Sequence, residues 1–318
     1  REVFGRLSGD STCPAIHRLE TAFGGGKTHT LIASAHIAFM GNKLANVTSG
    51  ILEEKYLPLP GAVNIVGIAG EEIPVHKPLG KELVPYTLWG EIAFQIGGEE
   101  LYREVDVEAS SFAAPGRTYF EKVLGNRGTL IMLDELAQYA ARLEAARPDG
   151  ASQLAAFLMA LHGYARNHSG ISIILTLASS IDAFARQTQR LAELISSVRG
   201  EKIGQDAALG LGERAVKGVA SVVARDATPV TPVQGAEISR VLARRLFDFI
   251  DTKKSETVST AYMEMYKKNA TLLPDLATRE DYRDQMISHY PFHPTFIDFL
   301  TNKLAIVENF QGTRGVLR

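Results

Sequence analysis

The sequence predicts an α/β protein: a parallel sheet packed between helices in three layers, followed by a smaller, purely helical region. Three observations predict it. A triple glycine, Gly24-Gly25-Gly26, separates a strand-like stretch from a helix-like one and runs straight into Lys27-Thr28. A wholly apolar run, Thr129 to Leu133, ends in two adjacent acids, Asp134 and Glu135. Up to about residue 233 strand-like runs alternate with helical patterns, as in βαβ units, whereas helical periodicity dominates beyond it.

Taken in order, Ala15 to Thr21 is the first strand, more polar than a central parallel strand usually is. Thr28 to Gly41 is a helix, with Leu31, Ile32, Ala35, Ala38 and Phe39 near helical spacing and Gly41-Asn42 as its stop. Ala62 to Ile68 is a second apolar strand. The stretch 71–124 is long for one crossover and reads as an insertion or elaborated crossover, with helices over Leu88 to Ile96 and Arg117 to Leu124. Trp89, the single tryptophan, reads there as a buried anchor in preference to a base-stacking residue. The third strand, Thr129 to Leu133, passes directly into a helix over Leu136 to Ala146, and Ile171 to Leu177 is a fourth strand.

Gly200 to Gly218 reads as a loop around a short helix, and Ser221 to Arg225 as a short last strand. Thr228-Pro229-Val230-Thr231-Pro232 continues neither as helix nor as central strand. From Gln234 the pattern is helical, with Ile238, Val241, Leu242, Leu246 and Phe249-Ile250 on one face; helical stretches follow around Tyr262 to Tyr266, Tyr282 to Ile287 and Pro294 to Leu304. The expected division is a core over 1–233 and a helical lid over 234–318, incomplete at its end. A chain that starts at Arg1 and stops at Arg318 within a helical pattern reads as a piece of something longer.

The chemistry follows from the glycines. Without Cβ atoms they let the backbone approach phosphate oxygens, and their N–H groups form an anion nest at the positive end of the next helix. Phe23, Gly24, Gly25, Gly26, Lys27, Thr28 and His29 are therefore the candidate nucleotide-binding residues. Lys27 would reach the β- and γ-phosphates and the Thr28 hydroxyl would ligate Mg²⁺. The full phosphate-loop pattern asks for a first glycine where this chain has Thr21. A flexible glycine turn before a helix is the plainer alternative.

Ligands in open α/β sheets bind at the carboxyl ends of strands. Asp134 is thus the expected second holder of Mg²⁺, through its water shell, and Glu135 the group that polarises the attacking water. The alternative is that Asp134 caps the following helix and Glu135 complements its dipole. Thr176 is the first candidate, and Ser179 the next, for a hydroxyl that bonds the γ-phosphate or the water; a hydroxyl satisfied by local backbone is the other reading. Arg314 and Arg318 are candidate lid arginines facing the γ-phosphate, while Arg225, Arg244 and Arg245 could serve a neighbouring subunit's nucleotide. An extra strand between the glycine loop and the acidic strand fits the ATPase branch of P-loop NTPases. His289 and His293 are four apart, but Pro291 and Pro294 favour a helix entry over a metal pair.

Composition narrows the partners. The 318 residues are 45% hydrophobic and 22% charged, with net charge −2. That is ordinary for a soluble globule and gives nucleic-acid binding no electrostatic support. One cysteine, Cys13, excludes an intrachain disulfide and suits a reducing compartment. No apolar run approaches membrane-spanning length and no signal peptide is visible, so the cytoplasm is the expected location.

The stretches Thr21 to Thr30, Thr87 to Glu91, Leu133 to Glu135, Arg244 to Phe247 and Tyr290 to Arg318 together resemble the domain of unknown function 499 family of prokaryotic ATPases. The resemblance runs along nearly the whole chain, and the His after Lys-Thr is one of its more specific points. It implies an AAA+-like P-loop ATPase with ATP and Mg²⁺ as ligands, encoded in anti-phage defence islands beside DNA methylases. It implies roles for Lys27, Thr28, Asp134 and Glu135, and only loosely for the arginines. The expected partners are further copies of the chain or other defence proteins, with DNA a candidate. The competing readings are a nucleotide-gated scaffold with little hydrolysis and a small-molecule kinase. A GTPase is disfavoured, since Asn42-Lys43 and Asn302-Lys303 lack the Asp that reads guanine.

Overall fold

The computed structural model describes residues 1–20, 26–80, 82–177, 188–231 and 235–304. They form two compact units, residues 1–20 with 27–230, and Gly26 with the described residues from Thr231 onward. Each is described by itself.

The first unit runs α1 (Glu2–Leu7), β1 (Ile16–Leu19), α2 (Lys27–Met40), β2 (Asn64–Ala69), α3 (Leu88–Glu104), α4 (Arg117–Val123), β3 (Thr129–Asp134), α5 (Leu136–Ala146), α6 (Gly150–Asn167), β4 (Ile171–Thr176), α7 (Thr188–Arg199), α8 (Gln205–Asp226) and β5 (Thr228–Val230). The five strands are all parallel, in the order β2-β3-β4-β1-β5. β3 and β4 have strand neighbours on both sides and are apolar at almost every position, as doubly covered parallel strands must be.

Strand side chains alternate between faces. Leu130, Met132 and Ile174 join Phe4, Leu7, Leu31 and Ala38 in one core, so α1 and α2 cover that face. Ile131, Leu133, Ile173 and Leu175 join Leu88, Trp89, Tyr139, Phe157 and Val219 in the other, covered by α3 to α8. The sheet is thus covered on both faces, an arrangement compatible with a three-layer α/β core. Trp89 is a buried anchor: its ring packs on Phe157 at 5.2 Å and its Nε1 donates to the carbonyls of Glu108 and Ser111, each at 2.9 Å. The helix expected to stop at Ile96 runs to Glu104 but breaks at Gly98, where φ is 65°. At the sheet's outer edge the Gln95 amide accepts from Gly67 N (2.8 Å) and donates to Gly67 O (3.0 Å), occupying both polar groups of that residue.

Two expectations fail on the chain after β4. Gly200 to Gly218 is no loop, and Ser221 to Arg225 is no strand; both stretches largely belong to α8, a helix of 22 residues. Its buried positions Ala208, Leu211, Ala215, Val219 and Val223 recur at three- and four-residue spacing, and that stripe against α5 and α6 overrides the local β-branched run and the helical glycines. The last strand instead follows at Thr228–Val230 and contains Pro229. It pairs with β1 alone, at a sheet edge, where a residue lacking a donor is tolerated.

The second unit contains α9 (Gly235–Leu246), α10 (Ser255–Lys268), α11 (Glu280–His289) and α12 (Pro294–Asp298). Phe249 and Ile250, expected on the first helix, lie beyond its end. His293 caps α12: Nδ1 accepts from Thr295 N at 3.2 Å, Pro294 stands at the first turn, and Nε2 meets the Tyr266 hydroxyl at 2.8 Å. Both ring nitrogens are therefore engaged in a helix entry. Among the described residues no helix is long and apolar enough to cross a membrane.

Candidate functional site

The crossover from β1 to β2 runs through α2 on one face, whereas those after β2, β3 and β4 run through helices on the other. The chain therefore reverses its winding between the adjacent strands β1 and β4. Beside that switch point, at the carboxyl ends, an open α/β sheet leaves its binding crevice. Three sequence-distant polar residues meet there.

The Thr28 hydroxyl, in the first turn of α2, donates to Asp134 Oδ2 at 3.2 Å. The Thr176 hydroxyl, closing β4, donates to Asp134 Oδ1. The Glu135 backbone N–H points at the same spot, 3.0 Å from Asp134 Oδ1 and 2.9 Å from Thr176 Oγ1. Asp134 thus gathers donors from three elements, and all of them are oxygen-bearing or backbone groups.

Glu135 turns out of β3 in the left-handed region (φ 54°, ψ 36°), the one non-glycine residue with positive φ among the described residues. Such a conformation costs about 1–3 kcal/mol and persists only where its surroundings impose it. Gly70, just past β2, does the imposing. Its N–H donates to Asp134 O at 2.8 Å, and a Cβ at that position would lie 2.7 Å from Glu135 O and 3.1 Å from Asp134 O. Arg142, half-buried, donates to the carbonyls of Gly70 (3.1 Å) and Glu71 (2.6 Å) and fixes this turn.

Electrostatics distinguish the two acids' neighbourhood from open surface. Burial drives the Glu135 carboxyl up to about 7, with the negative charges of Glu71 and Asp134 adding to the rise and Arg190 and Lys27 opposing it. Burial pulls the Lys27 ammonium below its ordinary value, against the attraction of Asp134 and Glu135. A carboxyl that titrates near neutrality is suited to accept a proton from water.

Lys27, Thr28 and His29 open α2, and Gly26 before them has φ 83°. His29 is exposed. Phe23, Gly24, Gly25, Ser179, Arg314 and Arg318 lie outside the described residues. Arg225 ends α8, before the amino end of β5, where its Nε is 3.4 Å from Asp226 Oδ1; it is not brought to the carboxyl ends. Arg244 and Arg245 close α9 in the second unit. Gly70, Glu71, Arg142 and Arg190 were not foreseen. The one local signal was a glycine followed by Glu71-Glu72 directly after an apolar strand.

Comparison with known families matches residues 2–198 to the DUF499 N-terminal domain and residues 234–318 to the DUF499 second domain. No curated protein and no solved structure gives a match. Since the first of these domains alone spans more than half of the sequence and the second follows it in order, the chain belongs to the DUF499 family.

Proposed function

We propose that this chain binds a nucleoside triphosphate with Mg²⁺ at the carboxyl ends of β1, β3 and β4 and hydrolyses it. The observation that carries the reading is the hydrogen bond between Thr28 and Asp134, 106 positions apart, with Thr176 and Glu135 on the same carboxylate. A hydroxyl at the start of a helix, directly after a Gly-Lys pair, beside a strand-end carboxylate is what a magnesium-nucleotide site requires.

The donors fit the metal. Thr28 and Asp134 supply one hydroxyl and one carboxylate, and Mg²⁺ is commonly held by one or two carboxylates together with waters and substrate phosphates. When bound, the ion neutralises charge on the β- and γ-phosphates. Lys27 adds a positive charge at the same place. Glu135, held beside Asp134 with its proton affinity near neutrality, takes a proton from the attacking water. Thr176 is placed to orient that water or the terminal phosphate. On this reading the chain is a P-loop ATPase of the AAA+ kind, acting in the cytoplasm as a homo-oligomer or within a defence complex. DNA is a further candidate partner.

Turnover by purified protein, with and without duplex DNA at stated salt, tests it. Lys27→Ala should lose nucleotide binding, and Glu135→Gln should keep binding while losing at least about 100-fold in turnover. Equal hydrolysis by wild type and Glu135→Gln would sink the reading.

A further inference from the structure

One arginine of the first unit lies at the site. Arg190, in the first turn of α7, forms an ion pair with Glu71, the residue after Gly70. Glu71 follows β2 and Arg190 belongs to the connection that follows β4, and these strands flank β3 on either side. The pair therefore bridges the carboxyl end of β3, where Asp134 and Glu135 stand. Gly70 N bonded to Asp134 O, and Arg142 bonded to the carbonyls of Gly70 and Glu71, fix the acid end of the bridge. The guanidinium end is looser, since the Arg190 side chain is 55% exposed.

Charge balance makes the bridge informative. Glu71, Asp134 and Glu135 put three acids around a place proposed to receive a polyphosphate, and Lys27 and Arg190 are the positive charges that act on Glu135. A half-exposed ion pair contributes little to stability. A guanidinium matches the planar fork of a carboxylate and the oxygens of a phosphate equally well, and a terminal phosphate offers more charge. We propose that Arg190 is a phosphate-binding residue of this site, for which the Glu71 carboxylate and the terminal phosphate of the nucleotide compete. The inference rests on the triphosphate reading above and adds a residue that discriminates tri- from diphosphate.

The test is equilibrium binding of two probes, each with magnesium, to the full chain: a non-hydrolysable imidotriphosphate analogue of ATP, and ADP. Arg190→Ala should weaken the analogue at least tenfold and ADP less than twofold, while the nucleotide-free melting temperature stays within a degree or two. Arg190→Lys, which keeps charge without the fork, should fall between. Glu71→Gln, which removes the competitor, should tighten the analogue about threefold. Equal effects of Arg190→Ala on both probes, no effect on either, or weaker analogue binding by Glu71→Gln would overturn the inference alone. A wild-type chain that binds neither probe overturns the triphosphate reading and takes this inference with it.

Discussion

The two ends of the parallel sheet each carry a polar cluster, and they are built in opposite ways. At the carboxyl ends, Asp134 and Glu135 are half-buried, Thr28 is exposed and Thr176 is buried behind them, with one residue in a costly backbone conformation. At the amino ends, His162 of α6 and Asp226 of α8 are buried, with side chains 0% and 2% exposed and 3.4 Å apart. Arg166 closes that cluster at 2.6 Å from Asp226, and Arg6 of α1 donates to the carbonyls of Ala165 (2.7 Å), Arg166 (3.0 Å) and His168 (3.3 Å) nearby. The closed cluster ties α1, α6 and α8 together. The open one holds acids, hydroxyls and strain where a ligand can reach them. Burial with local partners gives a clamp, and partial exposure with strain marks the proposed site.

The comparison can be broken first through pH. Burial lowers His162 to about 4, so it is neutral in the folded chain, while unfolded histidine titrates near its ordinary 6.5. The unfolded state therefore binds more protons between those values. Stability that is full above pH 6.5 should fall by up to about 3 kcal/mol as pH drops towards 4. Asp226 faces the ring with its carboxyl held below the usual range despite burial, by hydrogen bonds from Arg225 and Arg166, and so stays charged across this window. Chemical denaturation at pH 4.5 and 7.5 should show the loss in wild type and a smaller one in His162→Leu. Equal slopes would mean the ring is charged in place.

Gly70→Ala comes next. Its Cβ would meet backbone oxygens at 2.7 and 3.1 Å and the Tyr139 Cβ at 3.0 Å. A stability loss of about 2 kcal/mol is expected, with turnover falling further than in a surface variant of equal stability, because the displaced backbone carries Glu135. Loss of stability with unchanged turnover would detach Gly70 from the site. Thr176→Val should cost about 1 kcal/mol, since the hydroxyl bonds to Asp134 and Glu135 N are lost. The last test sharpens the contrast. With Glu135 raised to about 7, folding stability falls as pH climbs from the ordinary 4.5 through 7, opposite in sign to His162. In chelator and without nucleotide, Glu135→Gln should gain over wild type at pH 8 relative to pH 5. A gain that is larger at pH 5 would reverse the assignment of burial as the cause.

How much of this was legible follows from range. The apolar strands β3 and β4 announce themselves because both are buried on both faces, and the acids ending β3 are adjacent in sequence, so the strand places them. Asp134 and Thr28 could be joined on paper because each belongs to a local pattern with known chemistry. Gly70 and Arg190 could not. Their roles exist only once β2 and β4 flank β3, and the acids after Gly70 are the one local mark. The errors after β4 have the same origin: Ser221 to Arg225 is strand-like over five residues and helical over twenty-two, and only the longer window records the buried stripe. Arg190 emerges only from its pairing with Glu71.

The Gln95 side chain at the sheet's rim has a consequence for how copies of this chain can meet. By saturating both the amide and the carbonyl of Gly67, it stands where the backbone of an incoming strand would have to dock. A strand adding to the sheet past β2 would have to displace the Gln95 side chain at that point. Replacing Gln95 with alanine would free both backbone groups of Gly67 at the rim.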